Sequence, residues 1–403
     1  MQRAKQPMDM WLFLLTVAFL VIGIALVYDA SFATAALSMY TGKDTAYFAK
    51  RQAVFAVTGL VVLLIAQRIP YWKYKRFAFS FLVLSIIALC LVFIKPFGVE
   101  ANGAKRWIAI PGMPLQIQPS ELAKLALVLY LATYVANKQR HIRQWKYGLL
   151  PALIPIGLVC ALTVIEPDMG TCIVMLVVGM AVLVMGGAKK RQIALVFAGI
   201  IPLTILLILV EPYRLSRVTS FVDPWKDYEG SGYQVCRSLI ALGTGGLRGV
   251  GICEGREKRF YLPAGHTDFI VAVLGEEMGL IGTLSLAGLF FAFGVLGYRI
   301  AIRTRENFAK LLAAGLTTLI CGQAFLNMAV VSSMLPTTGV PLPFISYGGS
   351  SLVLNLLSVG VILGISKYPG FAKEYVNYES RYNRRRDGRP RVSGYQRSRV
   401  SAN

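Results

Sequence analysis

Charge is scarce in this chain. Of its 403 residues only 15% are Asp, Glu, Lys or Arg, against 56% that are hydrophobic, and the mean hydropathy is +0.59. Soluble domains carry about a quarter charged residues, so a water-soluble globular fold is excluded and a polytopic membrane protein is expected. Acid is scarcer still: 20 carboxylates face 42 Lys and Arg, a formal net charge of +22. His141 and His266 are the only histidines, which excludes a multi-histidine zinc site. The six cysteines include no C-x-x-C pair. Cys90, Cys160, Cys172 and Cys321 fall in apolar runs as packing residues, whereas Cys236 and Cys253 share one loop and could pair. The glycine-rich run from Gly243 to Gly251 lacks the Gly-Lys-Ser/Thr ending and the βαβ setting of a nucleotide loop. No aromatic-interleaved reader accompanies the basic charge, so nucleic acid is not an expected partner.

Long hydrophobic runs are abundant. A span needs about 20 mostly apolar residues, and ten runs serve, near 10–28, 53–69, 77–94, 122–136, 149–165, 171–187, 193–210, 268–298, 309–334 and 350–366. The fourth is short and begins inside the preceding loop. The first is too long for a signal-peptide core and reads as an uncleaved helix. The expected fold is therefore an all-α polytopic membrane protein of ten transmembrane helices. Lys and Arg collect in alternate short loops, at Arg68–Arg76, Lys138–Lys146, Lys189–Arg191 and Arg299–Lys310. The positive-inside tendency makes these loops and both termini cytoplasmic, as an even span count requires. A membrane domain over 1–367 then carries a large extracytoplasmic loop, 211–267, between helices 7 and 8. The basic stretch 368–403 is expected to be a disordered cytoplasmic tail against anionic membrane lipids.

Polar residues with chemical potential gather on the outer face. Asp268 stands where the long loop enters the eighth span, and a carboxylate at a bilayer rim must be solvated, partnered or functional. It reads either as a helix N-cap or as a reactive group. Glu121 and Lys124 are one helical turn apart and read as an ion pair that lowers the cost of burial. Asp168 lies in the tight turn Glu166-Pro167-Asp168, and Ser346 and Ser350 in a Gly/Pro/Ser-rich last loop. Glu276 and Glu277 follow Asp268; position 276, eight residues on, is approximately aligned with it on a helix, with Glu277 as support. Lys50, Arg51, Lys105, Arg106, Arg214, Arg217 and Arg248 supply positive charge against the topological bias, and guanidinium suits bidentate phosphate recognition. Arg256, Lys258 and Arg259 read as solvated surface. The segment from Tyr233 to Leu242 reads as a short amphipathic helix lying on the membrane.

Several blocks then resemble one family. Gly103-Ala104-Lys105-Arg106-Trp107-Ile108, Gln118-Pro119-Ser120-Glu121-Leu122-Ala123-Lys124, Pro167-Asp168-Met169-Gly170-Thr171, His266-Thr267-Asp268-Phe269-Ile270, Gly275-Glu276-Glu277 and Leu342 through Ser351 stand in the order found in SEDS proteins (shape, elongation, division, sporulation). The likeness covers the chain to about Lys367 and is greater to the FtsW and SpoVE branch than to the RodA branch. It implies a peptidoglycan glycosyltransferase of the bacterial cytoplasmic membrane, at the division septum or in spore wall synthesis. Lipid II would be polymerised on the outer face into β-1,4-linked glycan, releasing undecaprenyl pyrophosphate. A lipid II flippase and a non-catalytic division scaffold are the alternatives. The resemblance makes Asp268 the catalytic acid, with His266 among the substrate-binding residues. It implies as partners lipid II, the nascent glycan strand, a class B penicillin-binding protein and other division-complex membrane proteins. Mg²⁺ or Mn²⁺ could assist; no organic cofactor is expected. Ala264-Gly265 departs from relatives that carry an acid just before the His-Thr-Asp block.

Overall fold

The computed structural model of the chain describes residues 6–94, 97–101, 104–109, 116–263 and 265–368, without the side chains at 40, 100, 101, 104 and 105. The basic stretch beyond 368, residues Asn102 and Gly103, the Lys105 side chain and Ala264 therefore lie outside the described residues. Twelve α-helices run in chain order among the described residues: α1 (Met10–Leu37), α2 (Tyr47–Ala66), α3 (Tyr71–Leu91), α4 (Pro119–Asn137), α5 (Leu150–Ile165), α6 (Met169–Met185), α7 (Lys190–Val210), α8 (Pro212–Val222), α9 (Tyr233–Gly245), α10 (Ile270–Arg303), α11 (Asn307–Val331) and α12 (Gly349–Ser366). Among the described residues eight segments are long and apolar enough to cross a membrane: α1, α2, α3, the Trp145–Ile165 segment containing α5, α7, α10, α11 and α12. The expected fourth and sixth runs correspond to α4, which carries the buried Glu121 and Lys124, and to the 17-residue α6. Gln6 N donates to Lys367 O (2.9 Å) and Asp9 N to Ser366 Oγ (3.1 Å), so the start of α1 and the end of α12 meet at one end of the bundle.

Sequence signals fix the helix starts. Pro119 opens α4 and Pro212 opens α8, where a missing N–H costs nothing and φ is already helical. Asp168 caps α6 by accepting from Thr171 N (3.1 Å). The most buried helices are α4, α11 and α12. They form the centre of the bundle, with α2 against α12 and α10 against α11.

Three features depart from the purely helical expectation. The second outer loop folds into a small antiparallel sheet, β1 (Gly98–Ala101), β2 (Ala104–Ala109) and β3 (Gln116–Ile117), in the order β1-β2-β3. Val99 sits opposite Trp107 and Ile108 opposite Ile117, so aromatic and β-branched residues pair across the strands. Second, α9 does not lie on the membrane with a free apolar face. Val235, Cys236 and Ala241 are buried, and Ser238 Oγ donates to Val331 O (2.7 Å) at the end of α11.

Third, α10 is broken at Gly279 (φ 63°, ψ −159°). The glycine-rich loop crosses the break and takes up the backbone groups it frees. Val250 N donates to Glu276 O (3.0 Å), Gly251 N to Glu277 O (3.1 Å), and Leu280 N to Gly246 O (2.9 Å). A Cβ on Gly279 would stand 2.5 Å from Gly249 N, and one on Gly249 within 2.0 Å of Glu277 O. This run is thus a close backbone crossing; irregular backbone at membrane depth requires protein partners of this kind.

The same region overturns two expectations about charged residues. Glu276 does not share a groove with Asp268. It accepts from the backbone N–H of Arg256 (2.7 Å) and Glu257 (3.1 Å), while Glu277 accepts from those of Cys253 (3.1 Å) and Gly255 (3.3 Å). Lys258 is not solvated surface: its side chain is fully buried, with Nζ bonded to Asp29 (2.5 Å) and to Glu277. Helix α1 runs past the expected end of the first span, which draws Asp29 out of the outer loop and into this cluster. The two acids hold the Lys258 ammonium above its ordinary range against the opposing effect of burial. The loop 250–258 is thereby stapled onto α1 and α10. Cys236 is buried, Cys253 exposed, and both are free thiols.

Candidate active site

Asp268 lies in the segment between the long loop and α10. It is not the N-cap, because Phe269 occupies that position and makes no side-chain cap bond. Distant residues hold the segment instead. Asn327 Nδ2, on α11, reaches both Asp268 O and Val340 O at 2.8 Å. Ser346 Oγ donates to Thr267 O (2.5 Å) and accepts from Leu342 N (2.9 Å), and Tyr347 N donates to His266 O (2.9 Å). Gln52 on α2 donates to Ser346 O (3.1 Å), and Gln323 on α11 to Pro341 O (2.9 Å). Lys124 Nζ bonds both Gln323 (2.6 Å) and Glu121 (2.7 Å), which ties the buried pair on α4 to the loop that seats Asp268. Such a desolvated, bonded pair positions backbone. Gly339 (φ 72°) turns beside the carboxylate: a Cβ there would lie 3.6 Å from Asp268 Oδ2.

Asp268 opens into a cavity of about 900 Å³ that also exposes Arg106, Arg214, Arg217, Glu211 and Gln118. Burial raises the carboxyl to a pKa of about 6; Arg217 and Arg106 oppose that rise and Asp168 adds to it. One of the three guanidiniums comes from β2 and two from α8, and all are aimed by carbonyls. Arg106, on β2, donates to Glu166 O (3.2 Å) and Pro167 O. Arg214 donates to Val164 O (3.0 Å) and Leu207 O (3.3 Å). Arg217 donates to Thr337 O (2.9 Å) and to Tyr213 Oη (2.5 Å), beneath its own ring stack at 4.8 Å. Three cations facing Asp268 and Glu211 make a setting suited to a phosphate-bearing ligand.

Other basic residues fall elsewhere. Lys50 is exposed and paired with Asp44 (2.8 Å), and Arg51 donates to Tyr47 Oη (3.1 Å); neither lines the cavity. Arg248 is exposed on the glycine-rich crossing and does not line it either. His266 stacks on Phe48 (4.7 Å between ring centres) and near Tyr347 (5.9 Å), and burial lowers its pKa. It seats the segment by packing rather than lining the cavity. Ser351 lines the cavity where Ser350 does not. Asp168 is engaged by Thr171 N, Gln118 (3.2 Å) and Ser120 (3.4 Å). Tyr213, Gln234 and Glu211 were not singled out by sequence for this wall, and only a fold could bring them there.

The model of the cell cycle protein family FtsW/RodA/SpoVE matches residues 10–369. The chain belongs to that family. It is 39% identical over 364 residues to a probable peptidoglycan glycosyltransferase FtsW of Geobacter sp. (strain M18), covering 90% of this chain and 98% of the relative. Stage V sporulation protein E of Bacillus subtilis is 38% identical over 370 residues, 91% and 99% of the two chains. Among solved structures, a chain from a peptidoglycan synthase complex that coordinates polymerization and crosslinking superposes with a TM-score of 0.71 at 27% identity, covering 89% and 97%. The rod shape determining protein RodA of Thermus thermophilus gives 0.66 at 26%, covering 90% and 98%. As an FtsW/RodA/SpoVE protein the chain is a multi-pass membrane protein, and its fold follows theirs.

Proposed function

We propose that this protein is a peptidoglycan glycosyltransferase that polymerises lipid II on the outer face of the cytoplasmic membrane, with Asp268 as general base. The observation that carries the reading is a half-buried carboxylate, Asp268, sharing a cavity with one arginine from β2 and two from α8. An acceptor sugar hydroxyl is a poor nucleophile. Asp268 takes its proton as the oxygen bonds to the donor's anomeric carbon and the bond to the lipid pyrophosphate breaks, a single displacement that turns an α-linked donor into a β-1,4 product. Arg106, Arg214 and Arg217 stabilise the charge that develops on the leaving pyrophosphate.

A cage built by protein ligands alone is not supported for the metal: no cluster of three or more His, Cys, Asp or Glu suited to a cation occurs among the described residues. Mg²⁺ or Mn²⁺ would fit as a companion of the pyrophosphate oxygens, adding to the neutralisation of their charge. We further propose ten spans with both termini cytoplasmic, action at the septum or in the spore wall, and work beside a crosslinking class B penicillin-binding protein. The resemblance to a synthase-complex chain supports that partnership. Incubating the purified protein, alone and with such a partner, with lipid II and following glycan length on gels tests the reading. Lipid II crossing liposomes without any polymer would refute it in favour of a flippase.

A further inference from the structure

Glu166 is an acid beside this site that the chemistry above does not use and whose carboxyl no hydrogen bond engages among the described residues. It ends α5 one residue before Pro167, which lines the cavity. Its side chain is fully buried, and neither carboxyl oxygen has a hydrogen-bond partner among the described residues. A buried ion in that state is costly, so the group is stable there only without its charge. The charged groups that act on it are few. Arg106 approaches from β2 and already donates to the Glu166 carbonyl (3.2 Å). Asp168 lies two residues on with its own oxygens engaged. Arg214 of α8 is tied to Val164 O, two residues back (3.0 Å). Beyond these, Asp268 is coupled to both Arg106 and Asp168.

We propose that Glu166 is a positioning residue acting through Arg106: its uncharged carboxyl leaves the Arg106 guanidinium free to hold the donor pyrophosphate, and losing its proton draws that guanidinium away. The inference rests on the transferase reading. Burial, reinforced by Asp168 and opposed by Arg106, lifts Glu166 to a pKa of about 8, so the acid is uncharged at neutral pH and ionises within an accessible alkaline range. Arg106 is the cation that opposes the rise at Glu166, and it is already tethered to the same residue. The other participants do not change charge there. Asp268 is ionised throughout, guanidinium does not titrate, and a pyrophosphate diester stays fully charged.

The test is the KM for lipid II against pH, from 7 to 9, for the wild-type protein with its partner, Glu166→Gln and Arg106→Gln. Expected is a rise of about tenfold in the wild-type KM, the scale of one charged hydrogen bond, with kcat within twofold. Glu166→Gln keeps an uncharged amide in the same volume, so its KM should match the wild type at pH 7 and stay flat. Arg106→Gln should show a high KM at every pH with no alkaline rise. A flat wild-type profile, an equal rise in Glu166→Gln, or a rise surviving in Arg106→Gln would each overturn the proposal. The wild-type and Arg106→Gln profiles decide it even if Glu166→Gln fails to fold. Absence of any polymer from the wild type at pH 7 would instead sink the transferase reading itself.

Discussion

Asp268→Asn separates chemistry from architecture, because the contacts that hold the segment do not use the carboxylate. Asn327 binds the Asp268 carbonyl, Ser346 the Thr267 carbonyl and Tyr347 the His266 carbonyl, and all three survive the change. The substitution should therefore leave the fold in place while removing the base. A positioned base contributes about 10²–10⁴-fold, or about 3–5 kcal/mol of barrier, so kcat should fall by that factor with KM for lipid II changed little. Stability should move the other way. The folded carboxyl holds its proton to a pKa of about 6, above its ordinary 3.8, so this group's contribution to stability is fully present below 3.8 and is lost as pH rises through 6. Removing the titration should make Asp268→Asn at least as thermostable as the wild type at pH 7. Activity shows the complementary limb: wild-type kcat/KM should drop about tenfold per pH unit below about 6, where the base is protonated, and the residual rate of Asp268→Asn should lack that limb. The assay is polymerisation by the purified protein and its partner, with thermal unfolding in the same detergent. A variant polymerising within threefold of wild type would refute the role of Asp268. A large loss of Tm would refute the claim that the segment is held by backbone contacts.

Arg217→Gln should lower kcat/KM about 10–100-fold through the lost charge on the leaving group. It should also move the acid limb to higher pH, because Arg217 opposes the rise in the Asp268 pKa; a limb unmoved in the pH–rate profile would count against their coupling. Lys258→Met should strand Asp29 and Glu277 as uncompensated buried acids, costing about 3–5 kcal/mol by denaturant unfolding. Gly339→Ala places a methyl beside the Asp268 carboxylate at φ 72°, costing about 1–2 kcal/mol of backbone strain. Its activity should fall more than its thermal stability, and unaltered turnover would show that the turn does not shape the site.

The membrane fold was legible because the bilayer imposes a length and an apolarity that hydropathy reads directly. The helix starts at Pro119, Asp168 and Pro212 carry local signals too, although the apolar runs begin near 122 and 171 and no helix is expected at 212. The broken helix was not legible. Its glycine-rich crossing carries its meaning in backbone bonds between 246–251 and 276–281, and a glycine run looks the same whether it cradles phosphate or another strand of chain. Glu276 was misplaced for the same reason. Helical period was counted from Asp268, but α10 begins at Ile270, so Asp268 lies outside the helix that carries Glu276.

The basic residues show where local reading stops and what replaces it. Lys50, Arg51 and Arg248 differ from Arg106, Arg214 and Arg217 in no property that their neighbours in sequence reveal, yet only the second group reaches the cavity. What separates them is the carbonyl each finds: Arg106 reaches across 60 residues to Glu166, Arg214 across 50 to Val164 and Arg217 across 120 to Thr337. Asp268 is held over comparable separations, 59 residues to Asn327 and 79 between Ser346 and Thr267. A carboxylate ahead of α10, a guanidinium on β2 and two on α8 are brought together by bonds to main-chain carbonyls. Substitutions in Asn327, Ser346 or Gln323 should therefore weaken catalysis while touching no substrate.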